Sequence, residues 1–401
     1  MDVAAILTGL GTPAGRADPY PLYEQLHEHG TVLPAGHQVL VIGYEAVGAV
    51  LRDPAFRVSD EASLDAEFPS WRDHPVFVQG MDWILNLNAP RHGRVRRLMA
   101  RAFTARRVGS LAPAIARIAD ELLDGMADRG ADGSPVEFMH DFAYLLPVTV
   151  ICELIGIPES DREAFRPVAR DLAEVFELTD LTRLPAINAA AVELLSYFTE
   201  LAGRRRAEPR DDLLSDLLAA SDRDDGQLSA AELLHNLTLL LVAGFETTTN
   251  LLGNGLHIVL TDPAAGQGLR EGSVSPLAFV EEVLRFDSPV QLTTRQGYDT
   301  TLDGVPVSAG TGVVAMLGAG NRDPRRFTRP GVFDPARPDG GTLSFGGGAH
   351  YCIGAALARL EGTIAFPRLL DRFPGISAAG EPSRRDRLLL RGFDTLPVSV
   401  A

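Results

Sequence analysis

Apolar side chains recur every three or four residues along most of this chain, the period of a helix with one face turned inward. The pattern predicts helices over residues 89–107, 110–129, 138–155, 160–175, 186–207, 211–220, 229–260 and 275–286. Ser229 stands three residues ahead of Glu232 and marks the start of the longest helix with a capping box. Two-residue alternation is scarce. Residues 38–42 and 312–316 read as strands, and 388–400 as a C-terminal strand pair. Residues 300–307 hold Asp303-Gly304 between apolar runs, a hairpin signal. Residues 208–226 are charged and turn-rich but lie between helices. Residues 318–348 are rich in Gly, Pro and Arg, and an irregular stretch of that length is usually functional or wrapped around something. The expectation is a mainly α fold with a minor antiparallel β component, in a single domain over residues 1–401.

Composition narrows the class. The chain has 401 residues, 45% hydrophobic and 22% charged, which excludes a disordered or fibrous protein. A net charge of −16 argues against nucleic acid or an anionic membrane as partner. Every basic residue other than histidine is arginine, which fits a GC-rich bacterial source. Two cysteines, Cys152 and Cys352, allow no disulfide framework and point to a reducing cytoplasm. The N-terminal residues lack the positive start of a signal peptide. The apolar runs at 145–157 and 237–245 are shorter than the ~20 residues that cross a bilayer.

Four places carry chemistry. In the first, Phe345-Gly346-Gly347-Gly348-Ala349-His350-Tyr351-Cys352-Ile353-Gly354, three glycines let the backbone bend tightly and a strong helix follows. Cys352 therefore sits just before a helix N-terminus, where backbone N–H groups favour a thiolate. No cluster at zinc spacing surrounds it. A lone sulfur ligand suits a metal held mainly by a cofactor, haem iron above all. The alternative is an inert cysteine after a glycine turn. Second, Ala243-Gly244-Phe245-Glu246-Thr247-Thr248-Thr249 interrupts an apolar helix with polar groups. Thr247 can bond back to the carbonyl of Ala243 and loosen the helix, and Gly244 leaves room beside it. The result is a small polar notch suited to dioxygen and a water, or else a threonine-rich packing face. Third, Glu282 and Arg285 are spaced i,i+3, a pair that many solvated helices carry. Fourth, His92 and Arg96, four apart after Pro90, share one helix side, and His92 alone reads as a surface histidine. Cys152 reads as ordinary core.

Taken in order, these segments resemble the cytochrome P450 family, and soluble actinobacterial members of it, from about residue 17 to the C-terminus. Residues 345–354 match its haem loop. Glu282-Val283-Leu284-Arg285, within its flanking residues 279–290, resembles its ExxR motif, and residues 243–249 resemble its oxygen-activating motif, with Phe245 where many relatives have histidine. Asn321-Arg322-Asp323-Pro324 and Phe327 match a further segment. The resemblance implies the P450 fold, with haem b (iron protoporphyrin IX) between the oxygen-binding helix and the cysteine loop. Cys352 would be the axial ligand, with Phe345 packed near its sulfur. His92, Arg96, Arg295 and His350 would bind the propionates. Ala243 and Gly244 would border the oxygen site, and Glu246 and Thr247 would deliver protons. Arg337 would join Glu282 and Arg285 in a buried trio. The implied reaction inserts one atom of O₂ into an apolar small molecule, by hydroxylation or epoxidation, in tailoring a secondary metabolite such as a polyketide, peptide or terpenoid. Alternatives are coupling, nitration or peroxide-driven oxidation on the same haem, or a non-catalytic sensor or carrier of a small gas. The chain has no dinucleotide fingerprint and no cysteines for an iron–sulfur cluster. Electrons from NAD(P)H would therefore arrive through a separate ferredoxin and its reductase. Seven arginines fall in residues 91–107, and Arg101, Arg106, Arg107 and Arg359 are candidates to dock that donor, unless they form an ordinary solvated face. The expected state is a monomer. The substrate pocket is expected to draw on residues 56–86, 165–205 and 290–294, and to be apolar.

Overall fold

The computed structural model describes residues 2–400 except 178–179 and 224–227; no side chain is described for Arg101, Ala102, Arg166 and Arg223. The chain forms two compact units. One comprises residues 1–57, 115–145 and 247–401, the other residues 58–114 and 146–246.

Five helices carry the candidate site: α1 (Tyr44–Arg52), α2 (Arg91–Ala102), α3 (Ala230–Thr261), α4 (Pro276–Phe286) and α5 (Ala355–Arg372). Helical periodicity located most of them to within a few residues. The capping box forms as expected: Ser229 N–H donates to Glu232 and Glu232 N–H donates to the Ser229 hydroxyl, both at 3.0 Å. The run 89–107 is broken after α2 at Phe103, and a second short helix, Ala105–Ser110, starts where the Thr104 hydroxyl accepts from Arg107 N–H.

The larger unit holds the sheet. Its strands are β1 (Val32–Ala35), β2 (Gln38–Val41), β3 (Thr293–Gln296) and β4 (Gly312–Ala315), in the order β1-β2-β4-β3. The β2–β4 pair is parallel, Gln38 opposite Gly312, so the sheet is mixed and not wholly antiparallel. The Asp303-Gly304 hairpin forms with both residues at positive φ, 46° and 82°, which matches the strand twist. The expected C-terminal strand pair does not form with itself. Phe393–Thr395 pairs with Ser383–Arg384, whereas Pro397–Ser399 pairs with Val136–Glu137 and Ser377–Ala378. The apolar face of α1 (Val47, Val50, Leu51) packs with Val313, Ala315 and Leu343. In the same unit α4 and α5 meet through Phe279 and Phe366, rings 5.0 Å apart and edge-on, both fully buried. Burial of each such ring contributes about 1.5–3 kcal/mol. A side chain at Gly255 on α3 would strike the Phe366 ring at 2.2 Å, so a glycine is required for this close crossing.

The smaller unit is helical, with Ile151, Phe198, Leu241 and Phe245 in its core and Cys152 buried as ordinary core. No helix among the described residues is long and apolar enough to cross a membrane.

Candidate active site

The glycine run builds a closed loop. Cys352 N–H donates to the Phe345 carbonyl at 2.9 Å, and Gly346 N–H to the Leu343 carbonyl at 2.8 Å. Gly346 and Gly348 take the left-handed φ values of 68° and 59° that L side chains disfavour. His350 closes a short helical turn over residues 348–350, and α5 starts three residues after Cys352. Cys352 is exposed, in contrast to Cys152.

The larger unit also brings Glu282, Arg285 and Arg337 together. Arg285 donates to both Glu282 oxygens at 2.8 and 2.7 Å, and Arg337 Nε donates at 3.0 and 2.9 Å. Asp334 N–H adds a fourth donor at 2.9 Å. Arg285 also grips the carbonyls of Asn321, Pro330 and Val332, which ties the irregular stretch 321–337 to α4. The charges are buried, yet each has charge-assisted partners, the condition for keeping them inside. One hub escaped sequence reasoning. Asp287, also buried, accepts from the Tyr20 hydroxyl at 2.8 Å, Arg391 at 2.6 Å and Arg384 at 2.9 Å. Burial alone would raise its pKa, but Arg384 and Arg391 outweigh that and hold the carboxyl well below the usual range. The only sequence signal for it was an acid in the residues flanking Arg285.

Helix α3 stays α-helical throughout, so the loosening expected at Thr247 is not a break. Burial along it is uneven in an informative way. From residue 235 to 256 every side chain is buried except Ala243, Gly244 and Thr247. Those three share one helix face, at i, i+1 and i+4. They form a half-buried window of one methyl and one hydroxyl, with Gly244 packed against Ile151, and Glu246 beside it is 3% exposed.

The remaining cations are distributed as follows. His92 on α2 is buried, and desolvation together with the nearby Arg96 charge pushes its pKa down. Arg295 on β3 is 7% exposed and donates to the Thr293 hydroxyl (3.0 Å) and the Thr294 carbonyl (2.7 Å). Desolvation lowers its pKa, and among the described residues no carboxylate offsets its charge. A buried guanidinium without a counter-charge is a ready anion site. Within the 91–107 cluster, Arg91 and Arg94 bind Glu232, and Arg107 binds Asp211 and Asp216. The cluster is thus partly neutralised by its own protein. Arg106 is exposed, and the Arg101 side chain lies outside the described residues. Arg359 is committed to Glu281, the Tyr351 hydroxyl and the Phe345 ring. Of the apolar residues expected near substrate, Trp83 and Phe176 pack together at 6.0 Å, while Phe198 is fully buried core.

The exposed Cys352 loop, the buried Arg295 and the polar interruption of α3 are the features that comparison with known proteins has to account for. The family model for cytochrome P450 matches residues 31–273 and 277–388. The chain is 38% identical over 400 residues to 6-deoxyerythronolide B hydroxylase of Saccharopolyspora erythraea, covering 96% of each. It is 38% identical to cytochrome P450 monooxygenase PikC of Streptomyces venezuelae, covering 95% of this chain and 91% of that one. Among solved structures, P450BioI in complex with an acyl-lipid-bearing acyl carrier protein superposes with a TM-score of 0.89 at 34% identity, covering 97% of this chain and 100% of that one. The chain belongs to the cytochrome P450 family. It is a haem-dependent monooxygenase and has the mainly α fold of that family.

Proposed function

We propose that Cys352 is the axial ligand of a haem b iron and that the enzyme hydroxylates or epoxidises an apolar small molecule, tailoring a secondary metabolite. The observation that carries this reading is the Cys352 loop, an exposed thiol held before α5 by the Phe345 carbonyl and two left-handed glycines. When bound and reduced, the haem supplies the activation of O₂.

The chain's residues do the rest. The N-terminus of α5 keeps the Cys352 sulfur as thiolate. Arg295, with His92, Arg96 and His350, binds the propionates, whose charge Arg295 lacks in its own surroundings. Ala243 and Gly244 border the oxygen site on α3, and Phe345 packs near the sulfur. Thr247 presents a hydroxyl there, and Glu246 passes protons to it from its buried position. Glu282, Arg285 and Arg337 fix the stretch that leads into the cysteine loop.

Electrons come from NAD(P)H through a ferredoxin and its reductase, since two cysteines cannot hold a cluster in this chain. Arg106 and Arg107, with Arg101, are the docking candidates. The family match runs through both compact units, which supports one functional domain, acting as a cytoplasmic monomer. Relatives named for hydroxylating 6-deoxyerythronolide B and vitamin D(3) support a large apolar substrate. The test is turnover of a panel of macrolactones, sterols and peptides with ferredoxin, reductase, NADPH and isotopically labelled O₂. One labelled oxygen in a product supports the proposal. Product without label, or peroxide-driven turnover alone, overturns it.

A further inference from the structure

Arg359 lies on α5, two turns beyond Cys352, where an arginine invites a reading as a docking residue for an acidic partner. Its surroundings argue otherwise. The guanidinium carbon lies 4.2 Å from the centroid of the Phe345 ring, within cation–π distance. Nη1 donates to the Tyr351 hydroxyl at 3.1 Å, and the Nε edge donates to Glu281 on α4. Burial by itself would lower the Arg359 pKa, but the bonds to Glu281 and Tyr351 more than offset it. One side chain thus grips both ends of the cysteine loop, Phe345 whose carbonyl receives Cys352 N–H and Tyr351 that precedes Cys352. The same side chain fastens that loop to the residue next to Glu282 of the buried trio.

We infer that Arg359 is a positioning residue for the axial thiolate, acting through Phe345, Tyr351 and Glu281, and is not a docking residue. The inference rests on Cys352 being the iron ligand. A planar, delocalised fork is needed for the role: lysine keeps the charge but cannot stack on Phe345 while bonding two oxygens. A cation held beside the ligand also favours the more electron-rich ferrous state, so its loss lowers the reduction potential.

Three variants separate positioning from docking: Arg359→Lys, Arg359→Gln and Glu281→Gln. Each is scored by reduction potential, by the share of ferrous–carbonyl protein that keeps the thiolate-type Soret band, and by the rate of haem transfer to apomyoglobin. For Arg359→Gln we expect at least a threefold shift of the ferric/ferrous equilibrium toward ferric, about 28 mV for one electron. We also expect faster haem transfer in all three variants, Arg359→Lys included. Docking instead predicts that Arg359→Lys and Glu281→Gln leave spectrum, potential and haem transfer unchanged, and that Arg359→Gln raises only the KM for ferredoxin; that result overturns the inference. Should Arg359→Gln fold poorly, Glu281→Gln alone decides, because it removes a tether while leaving Arg359 and the loop residues in place. Wild-type protein without a thiolate-type band would refute the ligand assignment itself, separately from these comparisons.

Discussion

Two glycines in the cysteine loop share a left-handed backbone but meet different surroundings, so alanine should harm them unequally. At Gly346 (φ 68°) an added Cβ would find its nearest neighbour, the His350 carbonyl oxygen, at 3.8 Å, ordinary contact. Gly346→Ala then suffers only the left-handed cost of about 1–2 kcal/mol. At Gly348 (φ 59°) the same atom would lie 2.3 Å from the Leu51 carbonyl oxygen and 2.8 Å from Arg52 Cα. Both are backbone atoms at the end of α1, whose Leu51 side chain is packed in the core with Leu343. Neither can swing aside as a flexible side chain would. Relative to an ordinary contact of about 3.4 Å the oxygen overlap is roughly 1.1 Å, which adds an overpacking cost of about 1–3 kcal/mol. Gly348→Ala should therefore lose about 2–5 kcal/mol against about 1–2 kcal/mol for Gly346→Ala. The assay is denaturant unfolding of both variants, with the ferrous–carbonyl spectrum recorded alongside. Gly348→Ala should also lose part of its thiolate-type band. Equal destabilisation of the two variants, or a milder effect at 348, would refute the packing of the loop against α1.

Three further outcomes are expected. Glu282→Ala removes the centre of the buried trio and leaves Arg285 and Arg337 without their carboxylate, so it should cost about 3–5 kcal/mol in denaturant unfolding, whereas a loss under 1 kcal/mol would place the trio on the surface. Glu361 on α5 is buried with one carboxylate oxygen unpartnered, and desolvation raises its pKa well above the usual value. Its contribution to stability is then complete below the unfolded pKa of about 4.3 and is lost as pH rises toward the folded value. Glu361→Gln should accordingly gain on the wild type by up to about 1.4 kcal/mol per pH unit above pH ~5, and a pH-independent difference would contradict this. Thr247→Ala should uncouple the enzyme, consuming NADPH with peroxide release and little product, while a pure gas carrier would keep its ligand affinity and show no such leak; the measurement is the ratio of product and peroxide to NADPH oxidised.

The helices were legible because burying one face of a helix imposes a local period, and the capping residues Ser229 and Glu232 sit three apart in the sequence. The mixed sheet was not, because the pairing of Gln38–Val41 with Gly312–Ala315 joins segments about 270 residues apart that carry no mutual signal. The same distance problem hides the Asp287 hub, whose partners Tyr20, Arg384 and Arg391 come from both ends of the chain. The contact between Arg337 and Glu282 was anticipated only through family resemblance, since i,i+3 spacing says nothing about a residue 55 positions on. Charge was the least legible feature. Arg91, Arg94, Arg107 and Arg359 look like free cations in sequence, yet each meets an acid from another element. The uneven burial of α3 was half legible: Ala243, Gly244 and Thr247 stood out by size and polarity, while their exposure within a buried helix depends on what surrounds them.

The central claim, a haem iron held by Cys352, is tested most directly by the carbon monoxide difference spectrum of the reduced protein, recorded for the wild type and for Cys352→Ala. The account predicts the red-shifted Soret band of an axial thiolate in the wild type and its complete loss in Cys352→Ala. An unchanged thiolate-type band after that substitution, or none in haem-loaded wild type, would contradict it.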